Sequence, residues 1–181
     1  MPKFRFSRIK DESTLFEAIK YLHIECNKLC FEAFGRYLQN AGNIGIFCHF
    51  EEEFTKLIEI RNQLTIPSTN PDQKYFTLIQ PILIEQTDNI PATEYKYLYV
   101  RKPKSDSPQV GDIDFYFEDE EFELIKQSIL AGKVYKNARI YDRPDLNMIE
   151  ILDPNSDVLP YISTRSETER VRVKQSDLTD L

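Results

Sequence analysis

The sequence predicts an α+β fold: two similar βαββ(β) halves forming a curved mixed sheet with helices on one side, preceded by an N-terminal helix. Three observations carry this. Residues 112–117 alternate Ile113, Phe115 and Phe117 with Asp112, Asp114 and Tyr116, the period of a strand, and lead into an acidic turn and a helical stretch. The order strand, acidic turn, Phe, Leu-Ile occurs twice, as IFCHFEEEFTKLI from Ile46 and as DFYFEDEEFELI from Asp114, so that Ile46 and Ile113 are 67 residues apart. Ahead of both, Leu15, Ile19, Leu22, Cys26, Leu29 and Ala33 recur at spacings of 3 and 4, one apolar stripe on a helix.

Taken in order, KFRFSRI at 3–9 alternates like a short edge strand. Thr14 and Glu17 have the spacing of a capping box, Thr14 as N-cap, opening a helix over about 14–34 that stops between Gly35 and Gly42. Residues 44–50 form the next strand, with Ile44, Ile46, Cys48 and Phe50 on one face and Gly45, Phe47 and His49 on the other. Glu51–Glu53 put carboxylates where a helix macrodipole favours them, and Phe54, Leu57, Ile58 and Leu64 follow on that helix. A turn-rich loop at 66–73 precedes strands at 75–84 and 94–100, the first broken or bent at Pro81. The polar stretch 101–109 links the halves.

In the second half the helix runs from Glu118–Glu121 through Phe122, Ile125 and Ile129 to a stop at Gly132. Strands are expected at 133–141 and 147–152, with a turn at 143–145 between them. Asp153-Pro154-Asn155-Ser156 is a turn, and the strand at 158–162 needs Pro160 at an edge or a bulge. The expected organisation is a single α+β domain over 1–163, with halves at about 44–100 and 111–162. A polar tail over 164–181 is either disordered or docked. A ferredoxin-like split βαβ arrangement shares the local pattern and differs in strand connectivity.

Composition narrows the function classes. The chain has 181 residues, 41% apolar and 29% charged, enough for one ordinary core. A net charge of −7 and a pI near 5.0 argue against a dedicated nucleic-acid binder. No apolar run approaches the ~20 residues of a membrane helix, and the basic start MPKFRFSRIK lacks the apolar segment of a secretory signal. Three cysteines without zinc-ligand spacing fit a reduced, cytoplasmic protein. His23, Cys26 and Cys30 share one side of the first helix, but a soft-metal site there needs a fourth ligand from Cys48 or His49; the alternative is that Cys26 is a small apolar residue of the stripe. No phosphate-binding loop, dinucleotide fingerprint, G-x-S-x-G or H-E-x-x-H is present. Asp112 and Asp114 share a strand face and would raise each other's pKa if buried.

The strand–helix–strand–strand repeat and the ending MIEILDPNSDVLPYI resemble the vicinal oxygen chelate superfamily, the glyoxalase and bleomycin-resistance-like folds, over about residues 44–162. Asp153-Pro154 stand as in that family's turn, with Ser156 or Asp157 where its glycine usually follows. The whole chain also resembles a group of bacterial proteins of no assigned activity. The superfamily resemblance implies a ligand cavity on the concave sheet face, with Phe47, His49, Asp114 and Tyr116 turned into it and Tyr97, Tyr99, Arg101 and Glu150 beside them. It implies a divalent metal as the one candidate cofactor, on His49, Asp114 and Glu150, although the chain has only two histidines.

The function expected on this reading is small-molecule binding. Tyr97, Tyr99 and Tyr116 stack on or hydrogen-bond the ligand, Arg101 meets an anionic group, Asp114 lines the pocket, and His49 is the general base or imidazole ligand. Whether this amounts to catalysis stays open. The alternative is an acidic protein-interaction module whose Glu51–Glu53 and Glu118–Glu121 clusters steer a basic protein partner. A homodimer is the other association considered; no nucleic acid or membrane partner is expected.

Overall fold

In the computed structural model, residues 9–104, 106–141 and 146–173 are described. The expected strand at 3–9, all but its last residue, and the turn at 143–145 lie outside them. Helix α1 spans Glu12–Phe34 and ends on Gly35 in the left-handed region, φ 72°. Its capping box is real but sits one turn earlier than Thr14–Glu17. The Thr14 N–H donates to Asp11 Oδ1 (2.8 Å) and the Asp11 N–H to Thr14 Oγ1 (3.2 Å), so Asp11 is the N-cap.

Strand β1 (Gln39–Phe47) is followed by α2 (Glu51–Leu64), β2 (Phe76–Ile84) and β3 (Thr93–Arg101). The second half repeats the order as β4 (Gly111–Phe117), α3 (Asp119–Leu130), β5 (Ala138–Ile140), β6 (Ile149–Ile151) and β7 (Val158–Thr164). A short α4, Arg165–Arg170, closes the described chain. β1 begins earlier and ends earlier than the alternation of 44–50 suggests: Phe50 is the N-cap of α2, and His49 lies beyond the strand.

All strands join one seven-stranded sheet in the order β2-β3-β1-β4-β7-β6-β5. The seam is the antiparallel pair β1 and β4, with Ile44 opposite Ile113. Outward from it each half reads alike. β3 lies parallel to β1 and β7 parallel to β4, then antiparallel strands follow, one in the first half and two in the second. This connectivity is that of two βαββ(β) units sharing a curved sheet, as the repeat predicts, and not the split βαβ alternative. Parallel neighbours require a crossover, and α2 and α3 supply it.

Two prolines test the sheet. Pro81 sits on β2, an edge strand whose register slips between Thr77 and Ile82, where a missing amide costs little. Pro160 is neither at an edge nor in a bulge. It lies within β7 opposite Ile113, but the ladder to β6 reaches only Tyr161, so no amide is needed on that side.

The helix stripe and one sheet face form the core. Leu15, Ile19, Leu22 and Cys26 of α1 join Ile44, Leu98, Ile113, Phe115 and Ile162 in one buried cluster, with Leu57 of α2 and Phe122 of α3. α1 packs mainly against β7, β4 and β6, α2 against β3 and β2. His23 is buried with its Nδ1 2.9 Å from the Tyr95 hydroxyl; burial lowers its pKa to about 4, so it is neutral near pH 7. Cys26, Cys30 and Cys48 are buried free thiols whose pKa values burial pushes up.

Candidate functional site

The alternation of β4 predicts one buried and one open face, yet all seven of its residues are buried. The opposite, concave face is covered by the chain itself. The register brings Asn43, Gly45 and Phe47 of β1 beside Tyr97, Tyr99 and Arg101 of β3, and Gly45 beside Asp112 of β4. Tyr161 of β7 lies opposite Asp114, and Glu150 of β6 opposite Tyr161.

Over the middle of this face lies the segment 165–173, which composition alone marks as tail. Asn43, fully buried, holds it. Its Nδ2 donates to Asp114 Oδ2 (2.8 Å) and to the Thr168 carbonyl (2.7 Å), and its Oδ1 accepts from Arg172 Nε (2.9 Å). The Arg172 guanidinium stacks 3.7 Å from the Tyr97 ring centroid, and Arg165 Nη2 donates to the Tyr116 hydroxyl (2.7 Å). The Lys74 and Tyr75 N–H groups donate to the Arg172 carbonyl (2.9 and 3.0 Å). Tyr97 and Tyr116, expected to meet a ligand, are therefore in contact with the protein's own arginines.

Beside that segment is a second constellation. Tyr75 donates its hydroxyl proton to Asp112 Oδ2 (3.1 Å) and packs against Tyr99, with ring centroids 5.3 Å apart. Lys74 Nζ lies 4.8 Å from the Tyr99 centroid. The Arg101 guanidinium lies flat on Phe47, 3.6 Å from the ring centroid, and its Nη2 donates to Ser107 Oγ (3.0 Å). Among the described residues two atoms here are buried without a hydrogen bond to another residue, Asp112 Oδ1 and Arg101 Nε, although the Asp112 carboxyl also meets its own backbone N–H. The carboxyl group of Asp112 lies against Gly45, where an added Cβ would sit 1.8 Å from Oδ1. Only glycine leaves that room.

The electrostatics follow from burial. Asp112 is 4% exposed and Asp114 2%. Burial raises the pKa of Asp112 against the pull of Lys74, the Tyr75 hydroxyl and Arg101. Burial, then the negative charge of Asp112, pushes Asp114 up to about 7, while Asn43, Lys74 and Arg172 hold it from rising further. A carboxyl group bound more tightly to its proton in the folded state stabilises the fold below its ordinary pKa. That contribution is lost as pH rises to the folded value, here between about 4 and 7. The expected result is a wild-type melting temperature that declines across this window by more than that of Asp114→Asn. Equal slopes in a pH series of thermal melts would show that Asp114 titrates normally.

The other expected site residues are dispersed. His49 approaches the Ser107 carbonyl with Nε2 at 3.0 Å, so that nitrogen carries the proton, and its N–H donates to Glu53 Oε2 (3.2 Å). Glu150 is 5% exposed and accepts from Arg139 Nε (2.7 Å). No three His, Cys, Asp or Glu side chains gather closely enough to hold a metal ion among the described residues, so His49, Asp114 and Glu150 are not brought together, nor do His23, Cys26 and Cys30 form a site. Of the acidic clusters, Glu53 is buried as an acceptor for the Ile9 and His49 N–H groups, and Glu121 pairs with Arg36. Glu118, Asp119 and Glu120 line a cleft of about 560 Å³ with Arg165 and Glu169. Sequence reasoning missed Asn43, Lys74, Tyr75 and Arg172; Asn43 falls one residue before the strand expected from 44, so no alternation marked it.

No helix among the described residues is long and apolar enough to cross a membrane. No protein-family model matches the chain, and no curated protein does. Among solved structures it is similar to Protein EC4020, a structural-genomics protein, with a TM-score of 0.52 and 11% identity over 95% of this chain and 97% of that one. It also aligns with Streptomyces coelicolor methylmalonyl-CoA epimerase in complex with 2-nitronate-propionyl-CoA, with a TM-score of 0.30 and 16% identity over 70% of this chain and 98% of that one. A methylmalonyl-CoA epimerase in complex with methylmalonyl-CoA and NH4+ gives 0.32 and 17% over 70% and 95%. At such identities the likeness to Protein EC4020 is one of fold, and the epimerase alignments are too loose to bear on the site.

Proposed function

We propose that the protein binds a small polar molecule on the concave sheet face, beside the segment 165–173, between Arg101, Asp112, Lys74 and Tyr99. The observation that carries this reading is the pair of orphaned atoms, Asp112 Oδ1 and Arg101 Nε. A buried carboxylate oxygen without a donor costs on the order of 1–3 kcal/mol, more when charged, and a ligand that supplies the donor recovers it. Stacking on Phe47 and the bond to Ser107 hold Arg101 in one orientation, so little freedom is lost on binding. The aromatic walls Tyr75 and Tyr99 offer a flat surface to an organic body. Proton transfer at this face would fall to Asp114, whose carboxyl burial and the neighbouring Asp112 push up to about 7, in preference to His49.

The test is a thermal-shift screen of a metabolite library, followed by calorimetry on Arg101→Ala. Loss of a charge-assisted hydrogen bond of about 2–3 kcal/mol predicts affinity weaker by roughly 30- to 150-fold, and a melt of the free variant checks that its fold survives the loss of the Phe47 and Ser107 contacts. Ligands whose affinity is indifferent to Arg101 and Asp112 would place the binding site elsewhere.

A further inference from the structure

The chain carries a net charge of −7, yet this face is locally cationic. Lys74, Arg101 and Arg172 lie over its aromatic rings, while Arg139 and Glu150 neutralise each other. Facing the cations are Asp112 and Asp114, two carboxyl groups whose burial favours the neutral form. Three cations therefore face two carboxyl groups that burial biases towards the uncharged state. Low-dielectric surroundings amplify that excess, so an anion is drawn to this face from an otherwise acidic protein.

The two orphaned atoms specify more than charge. Arg101 Nε is a donor on the edge of a guanidinium, the geometry that matches a carboxylate. In the ionised carboxylate Asp112 Oδ1 is an acceptor, and its partner oxygen is already occupied by the Tyr75 hydroxyl. A ligand complementary to both presents a carboxylate and, on the same small skeleton, a hydrogen-bond donor. An ammonium donor would meet the repulsion of Lys74, Arg101 and Arg172; a hydroxyl donates without that penalty. We infer that the ligand is a small hydroxy carboxylate, its carboxylate on Arg101 and its hydroxyl donating to Asp112 Oδ1. This inference rests on the binding reading above and adds the ligand class.

The test titrates the full chain, followed by amide NMR shifts, with glycolate, lactate and 3-hydroxybutyrate. Their counterparts without the hydroxyl are acetate, propionate and butyrate; glycine, alanine and inorganic phosphate complete the panel. Each hydroxy acid is expected to bind at least about ten-fold more tightly than its counterpart, the worth of one hydrogen bond to a charged group. Asp112→Asn should shrink that preference to under about three-fold while carboxylate binding persists, and Arg101→Gln should weaken both series. If Asp112→Asn does not fold, Arg101→Lys carries the test: it keeps the charge, loses the planar edge, and should still cost about ten-fold.

Equal binding of both series, preference for the amino acids, or phosphate binding alone overturns the hydroxy-carboxylate assignment and leaves the binding reading standing. The same holds if the panel is silent while a library ligand perturbs amides around Tyr99 and Asp112. Silence of both panel and library at this face overturns both.

Discussion

Gly111→Ala is expected to cost about 3 kcal/mol or more and to lower the melting temperature by roughly 6–12 °C. A Cβ at this position would stand 2.4 Å from the Gly45 carbonyl oxygen and 2.6 Å from Leu22 Cδ1. Leu22 can rotate, but the carbonyl is backbone in the strand next door, held by its own ladder. Relief therefore requires β4 to move away from β1 at the seam between the halves. Against a typical total stability of 5–15 kcal/mol, that is a large fraction. Calorimetric melts of the variant beside Gly35→Ala, which meets no atom within 4 Å but forces a left-handed φ, separate a packing clash from simple backbone strain. A change under about 2 °C would mean that the seam yields without cost.

Asn43→Asp is expected to be comparably severe and to release the segment 165–173. The wild-type amide spends both its protons, on Asp114 and on the Thr168 carbonyl. A carboxylate has neither proton, faces Asp114 with like charge and leaves the Thr168 carbonyl without its donor, while the contact with Arg172 survives. A broken buried network of this kind costs about 3–5 kcal/mol. Limited trypsin digestion reads the second effect directly, since Arg165, Arg170 and Arg172 all lie in the segment. Cleavage there should precede cleavage elsewhere in the variant and follow it in the wild type. An unchanged digestion order would show that other contacts, such as Arg165 with Tyr116, suffice to hold the segment down.

The two-fold architecture was legible because each half announces itself locally: a period-2 strand, carboxylates at a helix start, and an apolar stripe. Positions within a repeat can be read from nearest neighbours. What covers a face cannot. TRSETERVRV has the composition of a solvated tail, and its polarity conceals that the arginines and a backbone carbonyl are the partners of buried Asn43, Tyr97 and Tyr116. Asp112 was noted for its spacing from Asp114, but its significance depends on Gly45 across the seam and on Tyr75 from a loop 37 residues earlier, neither of which is marked in the sequence. His49 misled because alternation continued past the true end of β1; the chain leaves the sheet at Phe47 to start α2.

The packing of α1 sets an order on how the chain can become compact during synthesis. The helix is made first, but its apolar stripe rests mainly on β7, β4 and β6, all of which belong to the second half. While the ribosome is extending through β3, α1 lacks most of the surface it will cover, and β1 has one neighbour where it will have two. The stripe and the open edge of β1 are then both exposed, the combination that recruits chaperones or nascent neighbours. Docking of α1 therefore waits on strands that begin 77 (β4), 115 (β6) and 124 (β7) residues after its end, and the segment carrying Arg172 comes after them. The segment 165–173 completes the polar network over the concave face, so that network forms only after all seven strands have been made.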